Sequence, residues 1–231
     1  VMPGQVTFFG LGVNIKFPAN FKEAPFSLIA SGVTTLPQRI KFPFSLIRPG
    51  DSHLAGIPAR LNEIVPGWNY FINAYALDRN AYKYSVRGKG VVPIGYGDIY
   101  SVDTVKCVYD AYNRLQVQTV QDFYTKEHID GLGQNFMRER VRQEALRGYG
   151  EYLERYILEQ IILLVEEDKS LVYQNPKETR RLLSGDLNKD VARLVQLPET
   201  LEDLVKRMRQ LNRDWYELVI HGLDKDMRRG S

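Results

Sequence analysis

Pro25-Phe26-Ser27-Leu28-Ile29 and Pro43-Phe44-Ser45-Leu46-Ile47 are the same five residues written twice, 18 positions apart. Gly32 is answered by Gly50 at the same offset. A fainter copy runs backwards: Phe8, Phe26 and Phe44 share one phase, Leu11, Ile29 and Ile47 another, and Ile15 matches Val33. Eighteen residues make three faces of about six, the period of a left-handed parallel β-helix whose coils stack about 4.8 Å apart. On that reading Phe8, Phe26 and Phe44 form an inward ladder. The plainer alternative is a Phe- and Pro-rich phrase that recurs by chance within an ordinary β-sheet.

Working outward, Val1 already lies within the repeat, with no capping element before it. A bare solenoid end exposes unpaired strand edges. The chain is therefore expected to be the C-terminal part of something longer, with Gly230-Ser231 as a vector-derived tail. The 231 residues are 44% hydrophobic and 26% charged, enough for a sizeable core. A net charge of +3 is too small to argue for nucleic acid or an anionic membrane. One cysteine, Cys107, excludes an internal disulfide and fits a reducing, cytoplasmic setting. The longest apolar stretch, Tyr156 to Val165, is interrupted by Glu159 and Gln160 and is too short to span a bilayer.

Beyond Ile47 the pattern breaks. Pro49, Gly50 and Pro58 mark a linker, and Pro66 fits the first turn of a helix carrying Trp68, Phe71, Ile72, Tyr75 and Ala76. Gly88 to Gly97 is a glycine-rich connector without the ending of a phosphate-binding loop. Asp98 or Ser101 can cap a helix whose apolar face holds Val105, Val108, Tyr109, Tyr112 and Leu115. Gly131-Leu132-Gly133 precedes the longest helix, read over 135–167. Its Arg138, Arg140, Arg142 and Arg147 read as ion-paired surface residues, and its Tyr149, Tyr152 and Tyr156 as core. Residues 168–197 read as short helices and turns. Thr200 with Asp203 opens a last helix with a seam of Leu201, Leu204, Met208, Leu211, Trp215 and Leu218.

No catalytic constellation stands out. Enzymes built on left-handed β-helices are mostly acyltransferases with a histidine base on a coil, or sugar nucleotidyltransferases carrying the β-helix as a tail. His53, His128 and His221 all lie outside the repeat, and no metal-binding spacing links them. Ser27 and Ser45 have no nucleophile elbow around them. Glu166 and Glu167 lie on a charged helix end. Polar residues gather at the expected junction of repeat and helices, where Lys16, Lys22, Arg39 and Lys41 face Arg60, Asn62, Glu63, Asn73 and Arg79. Clefts between units favour ligands. Lys16, Lys22, Arg39, Arg60, Asn62 and Arg79 are thus the candidate contacts for a phosphorylated ligand; the plainer reading is polar trim on a rigid interface.

Gly12-Val13-Asn14-Ile15-Lys16-Phe17-Pro18-Ala19-Asn20-Phe21, Pro25 to Ile47 with Ser31 to Gln38 inside it, Pro58 to Trp68, and Gly131-Leu132-Gly133-Gln134-Asn135-Phe136 give the chain a resemblance to an uncharacterised family. Members of that family carry a left-handed β-helix followed by a helical C-terminal domain. They are labelled as similar to sugar nucleotidyltransferases or UDP-N-acetylglucosamine pyrophosphorylases. The resemblance covers residues 12–165 and implies further coils before Val1. It transfers no catalytic residue, and the glycine-rich nucleotide motif of a true nucleotidyltransferase is not in this chain.

The expectation is an α+β chain: C-terminal coils of a left-handed parallel β-helix over 1–50, then a mainly α-helical domain over 51–231. The expected function is a structural and oligomerisation scaffold, self-associating as a trimer through flat β-helix faces. The alternative is a nucleotidyltransferase-like enzyme or binding protein holding a sugar nucleotide or phosphosugar at the junction. Neither a membrane nor nucleic acid is expected as a partner; RNA binding through the Arg138–Arg147 face is a third and weaker alternative. The residue pattern names no cofactor.

Overall fold

The computed structural model describes residues 1–50, 56–77, 79, 82, 86, 97–167 and 176–230, with backbone alone at 226, 229 and 230. His53, residues 88–96 of the glycine-rich connector and residues 168–175 lie outside the described residues.

The repeated phrase forms a repeated corner. Val6, Phe26 and Phe44 take left-handed φ values of 53°, 59° and 55°, which side chains other than glycine seldom adopt. The Phe26 N–H donates to the Gln5 carbonyl (2.7 Å) and the Phe44 N–H to that of Pro25 (2.8 Å). Gly67, with φ 71°, donates to Pro43 in the same way (3.2 Å). The Phe26 and Phe44 rings stack at 5.1 Å between centroids. One residue on from each ring, Ser45 donates its hydroxyl to the Phe42 carbonyl (2.7 Å), and its N–H donates to Ser27 Oγ (3.1 Å).

From these corners run two- and three-residue strands. β1 (Phe8–Phe9) pairs in parallel with β4 (Leu28–Ile29), and β4 with β7 (Leu46–Arg48). β2 (Asn14–Ile15) pairs with β5 (Thr34–Thr35), and β3 (Ala19–Asn20) with β6 (Gln38–Arg39). The partners are Phe8↔Leu28, then Leu28↔Leu46, so the first spacing is longer than the second. One additional residue precedes β3 and another follows it. This corrects three expectations at once. Val6, not Phe8, matches Phe26 and Phe44, and Phe8 is 38% exposed. Phe9, not Leu11, matches Ile29 and Ile47, and Leu11 is 88% exposed. Ile15 pairs with Thr35, not Val33.

The fold class is corrected too: among the described residues the structure is mixed α+β and shows no β-helix solenoid. The described strands sit in one six-stranded and two two-stranded sheets, and none of these sheets closes. The larger sheet has the order β1-β4-β7-β8-β10-β9 and crosses residue 50. Beside β7 runs β8 (Asn62–Val65), antiparallel to it, because the chain reverses after Gly50 instead of beginning another parallel layer. β10 (Asn135–Arg138) lies parallel to β8, and β9 (Phe123–Tyr124) antiparallel to β10.

Helices cover this sheet. The expected helix after Pro66 is interrupted: α1 (Trp68–Phe71) is a single turn, and helical backbone resumes at Tyr75, Ala76 and Leu77. Ser101 caps α2 (Val102–Arg114), where Val105 and Val108 are buried. The expected helix at 135–167 divides into β10 and α3 (Glu139–Glu167), since Asn135 and Phe136 are taken up by the edge of β8. Its tyrosines are core. Tyr149 donates to the Pro43 carbonyl (2.6 Å), tying α3 to the repeated corner, and Tyr156 donates to Asn188 Oδ1 (2.7 Å). Asn69, just after Gly67, donates to the Phe26 carbonyl (2.6 Å) and ties α1 to that corner as well. Short helices α4 (Pro176–Leu182) and α5 (Asp186–Leu194) lead to α6 (Leu201–Gly230). Thr200 accepts the Asp203 N–H (3.1 Å), and Leu204 and Leu211 are buried, while Leu201 is exposed. Arg207 grips Glu154 of α3 through two hydrogen bonds of 2.7 Å. No helix among the described residues is long and apolar enough to cross a membrane.

Candidate functional site

Three segments meet beside the outer end of the large sheet and enclose a cleft of about 340 Å³. The 56–61 turn supplies Arg60, the residues after β9 supply Thr125 to His128, and the strand entering β10 supplies Gly133 to Asn135.

The glycines fix the third wall. Gly131 and Gly133 take φ values of 92° and 62°. A Cβ on Gly133 would lie 2.7 Å from Ile40 Cδ1 and 2.8 Å from Gln38 Oε1, so only glycine lets this strand approach β6 so closely. Gln38 Oε1 then accepts two donors, the Gln134 N–H (3.1 Å) and Asn135 Nδ2 (2.8 Å). Asn135 Nδ2 also donates to the Leu132 carbonyl (2.6 Å). Both carboxamides are thereby oriented. Asn135 is 1% exposed and lines the cleft, yet its Oδ1 has no partner. Gln38 Nε2, on the side chain that holds Asn135, is likewise buried and unpartnered. Buried polar atoms left this way are uncommon, each costing about 1–3 kcal/mol.

The second wall is a tight turn. The Thr125 N–H donates to His128 Nδ1 (3.1 Å), which places the proton of the neutral ring on Nε2. The Thr125 hydroxyl holds the Glu127 carboxyl below its usual range. Behind the turn, Tyr124 donates to Glu139 Oε2 (2.7 Å), and Glu139 accepts two hydrogen bonds of 2.7 Å from Arg142. Arg142 brings the Glu139 carboxyl down to about 2. The rim carries the exposed cations Arg60 and Lys126.

Of the six residues expected to bind a ligand, Arg60 lines the cleft and Asn62 lies directly behind it, paired in register with Asn135. Asn62 is occupied, donating to the Thr34 carbonyl (2.9 Å). Arg39 pairs with Glu23, in a group where Lys41 meets Asp130 at 2.6 Å. Lys16 and Lys22 are exposed elsewhere on the repeat, and Arg79 is half-buried and engaged. Thr125, Lys126 and Asn135 escaped sequence reasoning. The usable signal was Gln134-Asn135, a pair of carboxamides directly before the apolar Phe136-Met137 of a strand.

Glu63 is not a site residue but a brace. It is buried on the central strand, with Arg48 at 2.8 Å and Arg138 at 3.2 Å. Among the described residues no three metal-ligating side chains cluster. Comparison with protein families, with curated proteins and with solved structures finds no match to this chain.

Proposed function

We propose that the cleft binds a small polyhydroxylated, phosphorylated molecule of the phosphosugar class. The observation that carries this reading is Asn135, a buried residue that lines the cleft and whose side-chain acceptor Oδ1 has no partner. Its own amide nitrogen is anchored, so the acceptor is pre-oriented for a ligand hydroxyl. His128 Nε2 and the Thr125 side chain supply further hydrogen-bonding groups, and Arg60 and Lys126 suit the charge and donor needs of a phosphate. The resemblance to proteins labelled as sugar-nucleotidyltransferase-like points to the same ligand class.

The test is a thermal-shift screen against sugar phosphates, nucleotide sugars and the corresponding unphosphorylated sugars. A ligand at about 100 times its Kd stabilises the fold by about 2.7 kcal/mol, which is readily seen. Arg60→Ala with Lys126→Ala, both at exposed positions, should abolish the shift by phosphorylated ligands while leaving the free protein's Tm in place. A flat screen, or a shift indifferent to those substitutions, refutes the reading.

A further inference from the structure

The outer side of α6 carries a second apolar stripe, distinct from the one it buries. Leu204, Leu211 and Gly222 face the body of the protein. Tyr216, Ile220, Leu223 and Met227 recur at spacings of four, three and four on the opposite side and are exposed, by 60% at Tyr216, 58% at Ile220 and 66% at Met227. That is the spacing of a helix–helix seam. Towards the start of the helix the same side continues as a groove lined by Val205 together with the charged Glu202 and Arg209.

Charge indicates what covers it. At 3.6 residues per turn, Lys206, Arg213, Glu217 and Asp224 fall on one flank of this stripe, cations in the first half and carboxylates in the second. All four are exposed, and among the described residues none makes an ion pair within the chain. In an antiparallel helix pair each flank meets the same flank of its partner.

We propose that α6 pairs antiparallel with α6 of a second copy of this chain, about a two-fold axis beside Tyr216. In that register Lys206 faces Asp224 of the second copy and Arg213 faces its Glu217. Symmetry repeats both contacts, giving a closed, self-complementary interface. Met227 then covers Val205 of the second copy, and the overlap over 205–227 is about 34 Å at 1.5 Å per residue. The inference is independent of the cleft.

The test is the mass in solution of the whole chain by sedimentation equilibrium, with helix content monitored by circular dichroism. Wild type is expected to be a dimer that weakens as salt rises. Arg213→Glu alone, or Glu217→Arg alone, sets like charges against each other twice and should weaken association by about tenfold or more. The double variant R213E/E217R exchanges the partners and should restore the dimer, a rescue that unspecific apolar adhesion would not show. A wild-type monomer, the result expected if a different protein covers the stripe, overturns the proposal. So do single reversals that leave association unchanged, or a double variant that fails to rescue it.

Discussion

Phe44 offers a test of the repeated corner that separates side-chain packing from backbone conformation. Its ring is fully buried, stacked on Phe26 at 5.1 Å and tilted against Tyr70 at 5.6 Å and Tyr152 at 5.7 Å. Phe44→Ala removes that ring from a site boxed in by three other rings that cannot collapse into the gap, so the loss should be about 4 kcal/mol. Replacing alanine by glycine usually costs a further 0.5–1 kcal/mol or so. Here the order should reverse, because φ is 55° and a left-handed residue with a Cβ bears a penalty of about 1–2 kcal/mol that glycine lacks. Phe44→Gly is therefore expected to equal Phe44→Ala or exceed it by up to about 1 kcal/mol. Ile47, buried in extended backbone three residues on, serves as the control, and there glycine should be the worse by about 1 kcal/mol. Urea unfolding of the four variants, with m-values compared, measures both differences. Phe44→Gly falling about 1 kcal/mol below Phe44→Ala, with unchanged m, would refute the left-handed corner and with it the physical meaning of the repeat.

Three other outcomes follow from contacts already described. Gly133→Ala should destabilise by about 2 kcal/mol or more in urea unfolding, since it adds a Cβ at φ 62° against Gln38 and Ile40. The Glu139 carboxyl is lowered from 4.5 to about 2, so its stabilisation is fully present above the unfolded value and is lost as pH falls through that interval. Glu139→Gln should be less stable than wild type at neutral pH, with the difference shrinking as the medium is acidified between about 4.5 and about 2 in a pH series of melts. Burial pushes the Cys107 thiol up to about 11, so alkylation at mildly alkaline pH should be slow in the folded protein and rapid in urea; equal rates would contradict the packing of α2.

The repeat told more about local geometry than about architecture. Phe26 and Phe44 share a corner because their neighbours are identical, and a five-residue identity is visible in one dimension. The fold class is not legible in it, because the step from Leu28 to Leu46 continues unchanged on neither side. Two additional residues around β3 shift every earlier phase, and short insertions of that kind leave no mark on composition or periodicity. The reversal into β8 was hidden for another reason. Asn62-Glu63-Ile64-Val65 puts two polar residues before two apolar ones, with no alternation to announce a strand, and its partners lie at Leu46 and Asn135, far away along the chain. The last helix was legible, since Thr200, Asp203 and the Leu204-Met208-Leu211 spacing are local signals. The cleft was half legible. Arg60 is legible as one of the polar residues gathered at the junction of repeat and helices, but Asn135 acquires its significance only when Gly133 lets it approach Gln38.

The position of β10 bears on the order in which the chain can fold. β8 lies in the middle of the sheet, yet one of its two neighbours is not synthesised until residue 138 has been made. During synthesis the corners and β1 to β7 can assemble from nearby segments, whereas β8 waits with one side open. Pairings between distant segments are closed late and slowly, because chain entropy must be lost before the contacts form. For that interval the nascent protein presents Asn62 to Val65 as an unfinished edge, and this is the period in which a chaperone or an unrelated strand would find it.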